Sequence, residues 1–175
     1  MWAQEMSRKP SFNEITTSRK DELILDTRRT IQEFARVGLV ACAKSKRNEP
    51  LPAKELYSSE LFKKTMRYTR TNYDRWYILS AKHGVVEPDS VLEPYDETLY
   101  SKSPKERRIW ADKTLRQLLS LLPKPNQCLV FFHAGAKYRE FLSGKLTEAG
   151  YHCEVPLEGL GIGQQLAWYD AHKKE

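Results

Sequence analysis

The stretch VGLVACAKSKRNEP, residues 37–50, decides the fold. Following Arg36, its first half is a continuous apolar run, rich in β-branched and small residues, that ends at Cys42. Such a run, without polar alternation, is expected of a strand covered on both faces, as in a parallel sheet flanked by helices. It empties at once into Cys42, Lys44, Ser45, Lys46 and Arg47. Lysines and the backbone amides of a tight turn at a strand end form an anion-binding concavity. The stretch therefore predicts a buried strand with an anion site at its carboxyl end. Lys46 is the favoured anion ligand, and Arg47 is read as a surface residue.

Outward from this strand, helical and strand patterns alternate. AKELYSSELFKKTMRYTRTN (53–72) has a helical period, with Leu56, Leu61, Phe62 and Met66 on one side. RWYILSA (75–81) reads as a second strand, QCLVFFHA (127–134) as a third and HCEVPL (152–157) as a fourth. Between the second strand and a helix over 104–122 runs a segment, 82–104, longer than idle connections usually are. Pro104 suits the first turn of that helix. A helix over 136–150 closes on Gly150, and a Gly-rich turn leads into a last helix within 159–174. Strands alternating with helices predict an α/β three-layer sandwich around a four-stranded parallel sheet of order 2-1-3-4. Residues 1–36 are expected to form a polar arm and an amphipathic helix over 18–35, outside a single α/β domain at 37–175.

The chain has 175 residues, a net charge of +6 and a mean hydropathy of −0.66. A positive excess is compatible with a nucleotide or nucleic-acid partner without requiring one. No stretch approaches the roughly 20 apolar residues of a membrane span, and the first 20 residues lack the apolar core of a secretory signal. Three cysteines (Cys42, Cys128 and Cys153) form no CxxC or CxxH pair. Neither a disulfide framework nor a metal site is expected, and a reducing, cytoplasmic setting is. The sequence contains no GxxxxGK[ST] and no GxSxG, which speaks against a P-loop and an α/β-hydrolase elbow. No cofactor is expected.

All four strands end in polar or Gly-rich sequence, and in a parallel sheet these ends share one edge. After the first come Cys42, Lys44, Ser45 and Lys46. Cys42 is either a packed small side chain, which is favoured, or a nucleophile beside the lysines. After the second come Ser80, Lys82, His83 and Gly84, where His83 is the candidate general acid or base. In the long segment Tyr95 is a base-stacking or core residue, and Asp96 is a partner for His83 or a turn residue. After the third come His133, Gly135, Lys137, Tyr138 and Arg139, the last offering charge to an anion at a helix start. After the fourth come Glu158, Gly159, Gly161 and Gly163, glycines that permit close approach of the backbone to a ligand. Gln164 and Gln165 follow as readers of a base edge or as solvent-facing residues.

Read in order, LVACAKSK, LYSSELFKKTMRY, WYILSAKHGVVEPDSVLEPYDETL, HAGAKYREFL and VPLEGLGIGQQLAWY resemble a family of uncharacterised bacterial, archaeal and phage domains, over Val37 to Tyr169. That family implies no particular chemistry. A looser resemblance links the chain to the uracil-DNA-glycosylase-like architecture and its archaeosine-synthase-type domains, through Cys42 followed by Lys46, with Tyr57 and Ser58 later than that pattern asks. The water-activating and His-Pro-Ser motifs of the glycosylases are absent. What this resemblance implies is a pocket for a nucleobase or modified nucleobase. The expected function is an enzyme acting on a nucleotide or on a base in nucleic acid, by base modification or N-glycosidic-bond chemistry. The alternative is a non-catalytic binding module of a larger modification or defence system.

Overall fold

β1 (Ala35–Ala41) sends Val37 and Leu39 to one face of the sheet and Gly38 and Val40 to the other. The computed structural model describes residues 34–173. Onward from β1 come β2 (Leu51–Pro52), α1 (Ala53–Leu56), α2 (Glu60–Asn72), β3 (Arg75–Ser80), β4 (Gly84–Val86) and β5 (Val91–Leu92). A 3₁₀ turn at Leu99–Ser101 precedes α3 (Pro104–Leu121), and a second, at Pro125–Gln127, precedes β6 (Cys128–His133). The chain continues through α4 (Ala136–Arg139), α5 (Leu142–Glu148), β7 (His152–Glu154) and α6 (Ile162–Ala171). The expected helix over 18–35 lies almost wholly outside the described residues.

The architecture is α/β, with a mostly parallel sheet between helices. Its order is β4-β3-β1-β6-β7, and every neighbouring pair is parallel except β3 and β4. The sheet thus has five strands where four are expected. The extra one is cut from the segment read as a loop. Gly84 takes a φ of +80°, which turns the chain back on itself after Ser80 and lets Val85 and Val86 run antiparallel along β3. Gln117 of α3 holds that corner, donating to the His83 carbonyl and accepting from the Val85 amide. Farther along the same segment, β5 pairs with β2 in a small antiparallel ribbon.

The main core lies between the sheet and α3 with α5, and includes Leu39, Leu79, Trp110, Leu118, Phe132, Leu142 and Leu146. A fully buried side chain of this size contributes about 1.5–3 kcal/mol. On the other face Val40, Ile78 and Val86 pack with Leu56, Tyr57 and Phe62. There Gly38 makes room for α2 and Tyr73. A Cβ at Gly38 would lie 2.6 Å from the Tyr73 ring and closer still to Thr69. Tyr73 uses the space to stack on Phe131 with 4.8 Å between ring centroids.

Two helices expected to be continuous are broken. The 53–72 pattern stops at Tyr57, which leaves the helical path to bridge back to Lys46 and bury its ring; α2 then restarts under a Ser59 cap on the Phe62 amide. The 136–150 helix divides into α4 and α5, and Gly150, at φ +94°, follows its end. β7 is three residues long because Val155 and Pro156 leave the ladder. α3 has a full capping box: Ser103 accepts from the Glu106 amide and the Glu106 carboxylate accepts from the Ser103 amide. Ser103→Ala is expected to cost about 1 kcal/mol, read as a lower urea midpoint at unchanged slope.

Candidate functional site

Parallel strands β1 and β6 lie side by side, but the chain leaves them in opposite directions: β1 leads to β3 on one flank and β6 to β7 on the other. Outside the carboxyl ends at such a reversal the crossover loops part, and a crevice opens. A cleft of about 510 Å³ occupies this position. Val40 through Ser45 form one wall and His133 through Gly135 another, with the start of α2 and the side chains of Tyr138, Tyr100 and Gln165 completing it. The volume falls within the range of small-molecule sites.

Cys42 and Tyr138 face each other in this cleft. The Cys42 Sγ and the Tyr138 Oη are 3.1 Å apart, and the Cys42 amide is fixed by the Leu79 carbonyl at 2.9 Å. Cys42 is half-buried and packs against the hydrophobic clusters of both sheet faces. It is therefore a seam residue and a cleft residue together. Burial raises Tyr138 well above the ordinary phenol range, with Cys42 adding to the effect, so Tyr138 remains protonated at neutral pH.

A second cluster forms at the carboxyl end of β3. Ser80, fully buried, accepts from the His83 amide at 3.0 Å and the Lys82 amide at 3.3 Å. Its lone pairs are thereby occupied, so its hydroxyl proton is directed to Tyr95 Oη, 2.7 Å away. Tyr95 Oη lies 2.6 Å from Tyr57 Oη. Burial pushes Tyr57 up to about 12 and raises Tyr95 too, so both phenols carry their protons. The Lys46 ammonium stands 4.3 Å from the Tyr95 ring centroid and donates to the Ala43 and Lys44 carbonyls at 3.1 and 3.3 Å. Burial lowers Lys46, while Cys42 and Asp96 act the other way. The cluster thus joins Lys46, Tyr57, Tyr95 and Ser80, with the Lys82 ammonium 5.7 Å from the Tyr95 ring centroid.

His83 presents its ring edge to Tyr95, with centroids 5.3 Å apart. It lines a separate groove with Gln117 and Glu87, not the β1/β6 cleft. Burial first, then Lys82 and Lys113, lowers its pKa, with Glu97 opposing. Among the described residues no hydrogen bond or ion pair joins His83 to Asp96. Asp96 is exposed, and its charge acts on Lys46.

His133 is 8% exposed and spans two phenols, with Nε2 2.7 Å from Tyr73 Oη and Nδ1 2.7 Å from Tyr169 Oη. Both nitrogens are occupied, so the ring holds the cleft wall in place and presents no free nitrogen. Arg139 is likewise engaged: it donates to the Ala134 carbonyl at 2.9 Å and to Glu158 at 3.3 Å. Gly135 lets Tyr100 come close; a Cβ there would be 2.7 Å from Tyr100 Oη. Gly161 caps α6, its amide donating to the Gln164 side chain at 3.0 Å, and Gly163 is exposed on that helix. Lys44 and Ser45 line the cleft mouth. Among the described residues no group of three or more His, Cys, Asp or Glu side chains assembles as a metal ion requires, and no helix is long and apolar enough to cross a membrane.

Reading by strand ends misses Tyr100, Ser59 and the paired roles of Tyr57, Tyr73 and Tyr169. Tyr100 lies in a segment with no periodic signal. These tyrosines form pairs across 36 to 60 residues of sequence, which periodicity does not reveal.

The comparisons with known proteins agree with the motif reading. The model of a family described as "Family of unknown function (DUF6884)" matches residues 37–171. The chain is similar to the uncharacterized protein YfjM of Bacillus subtilis (strain 168), with 34% identity over 119 residues, covering 67% of this chain and 77% of that protein. No solved structure matches the chain.

Proposed function

We propose, for a chain that belongs to the family of unknown function DUF6884, an enzyme that acts on a nucleotide or on a base of a nucleic acid and takes that base into the β1/β6 cleft. The observation that carries this reading is the facing Cys42 and Tyr138 pair in a cleft at the winding reversal of the sheet. A thiol is intrinsically the most nucleophilic side chain lining it. A protonated phenol in contact with the sulfur supplies a proton donor to a leaving group or a hydrogen bond to a base edge. The apolar wall of Val40, Leu61 and Phe62 suits a planar ring, and the Lys46 charge at the neighbouring strand end suits an anionic portion of the same substrate. The parallel strands in the order β3-β1-β6-β7 support a uracil-DNA-glycosylase-like placement of the site, with β4 as an added edge. His83 lies beside this site and not in it, so the cleft chemistry is assigned to Cys42 and Tyr138.

The test is mass spectrometry of ligands released by denaturing the purified protein, with a thermal-shift screen of nucleotides and modified nucleobases. A ligand at a hundredfold excess over its Kd stabilises the protein by about 2.7 kcal/mol. The shift is expected to disappear in Cys42→Ala and to shrink in Tyr138→Phe. If no nucleotide or nucleobase shifts the wild type, while oligonucleotides bind regardless of Cys42, the enzyme reading fails and the binding module replaces it.

A further inference from the structure

We infer that the substrate is a single-stranded nucleic acid, its phosphates lying along α2 and one base entering the cleft past Tyr100; this rests on the reading of the cleft as a base pocket. The first turn of α2 forms part of the cleft wall, through Ser59, Glu60, Leu61 and Phe62. From that lip, Lys63, Arg67 and Arg70 follow at i, i+4 and i+7, all exposed. This spacing places three cations on one side of the helix, spanning about 10 Å at 1.5 Å per residue. Cations spaced in this way can each meet a phosphate of an unpaired strand laid along the helix. Among the described residues none of the three cations has an ion pair. The acids beside them are engaged, since Glu60 pairs with Lys64 and Asp170 pairs with Lys64 and Lys173.

The opposite lip provides an independent feature. Tyr100 is 66% exposed yet lines the cleft, a ring held against Gly135 with most of its surface uncovered. Exposed aromatics and basic tracks are the two elements by which single strands are held, the bases stacking and the phosphates pairing with cations, and here they stand on opposite lips of one cleft. A base still stacked in a duplex does not reach such a cleft without extrusion, so an unpaired strand is the matching partner.

The test is fluorescence anisotropy of a labelled single strand of about 12 nucleotides, titrated over a range of salt concentrations. Wild type is compared with the triple variant Lys63→Gln, Arg67→Gln, Arg70→Gln and with Tyr100→Ala, all surface changes. The salt slope of log K is expected to fall in magnitude by about 2 in the triple variant, at about 0.7 per phosphate contact on a single strand. Tyr100→Ala is expected to weaken binding by roughly tenfold, with the slope unchanged. A slope unaltered by the triple variant overturns the inference, and so does tighter binding of the blunt duplex of the same sequence. Mononucleotide thermal shifts run alongside separate this inference from the cleft reading. Shifts indifferent to Cys42, beside a stripe-dependent slope, fail only the cleft. Shifts dependent on Cys42, beside an unaltered slope, fail only the strand.

Discussion

Gly38→Ala is expected to destabilise the protein by roughly 3 kcal/mol, one methyl group near the centre of the sheet having an effect usually seen for a large core truncation. Gly38 is on β1, between β3 and β6, so its backbone is fixed by ladders on both sides. The added carbon would meet Thr69 and Tyr73 well inside van der Waals distance. Neither yields easily: Thr69 is buried with its hydroxyl on the Thr65 carbonyl, and Tyr73 is stacked on Phe131. Displacing Tyr73 also removes one of the two partners of His133, and a buried polar group left unpaired costs about 1–3 kcal/mol by itself. Urea unfolding of the variant checks this. A loss below about 1 kcal/mol would mean that α2 is free to move outward, contrary to the packing described here.

The second large effect is one of pH. Burial lowers the His133 pKa to about 4, whereas an unfolded histidine titrates near 6.5. The folded protein therefore holds this ring neutral, one nitrogen donating to a phenol and the other accepting from one. Between these two values the unfolded chain binds the extra proton, so stability rises with pH across the window and is lost as pH falls from about 6.5 towards 4. The shift corresponds to roughly 3 kcal/mol. Stability curves of wild type and His133→Gln between pH 7 and about 4 are the measurement. The variant is expected to be less stable at neutral pH and flatter through the window. Parallel curves would show that the ring is not held neutral by its surroundings.

Much of the frame was legible because it rests on local pattern. Val37–Ala41, Tyr77–Leu79 and Val130–Phe132 are apolar on both faces, as parallel strands under helices must be, and Pro104 announced the start of α3. β4 was not legible: three residues, Gly-Val-Val, carry no period, and only the φ of Gly84 and the grip of Gln117 make them a strand. The break at Tyr57 was hidden for a related reason. The helical period continues through it, and what overrides the period is a hydroxyl bonded to Tyr95, 38 residues away.

The strand-end residues divide in the same way. Cys42, Lys44, Ser45, Gly135 and Tyr138 do come together at one cleft, as convergence of parallel strand ends requires. His133 and Arg139 belong to that edge too, but their polar groups are committed to Tyr73, Tyr169, Ala134 and Glu158. Residue type at a strand end marks the edge; whether a side chain is free to act there is decided by partners far away in the chain.

The outermost strands of the sheet, β4 and β7, have three residues each, and Pro156 follows β7 closely. A neighbouring molecule seeking to extend a sheet needs a row of unpaired amides and carbonyls to copy, and among the described residues neither rim offers more than a few. Between these rims lie the longer, strongly apolar strands that make the chain fold, and the middle one, β1, is paired on both sides along its length. Brevity at the margins thus works as a guard against fibre growth, in a molecule whose middle strands would otherwise be well suited to it.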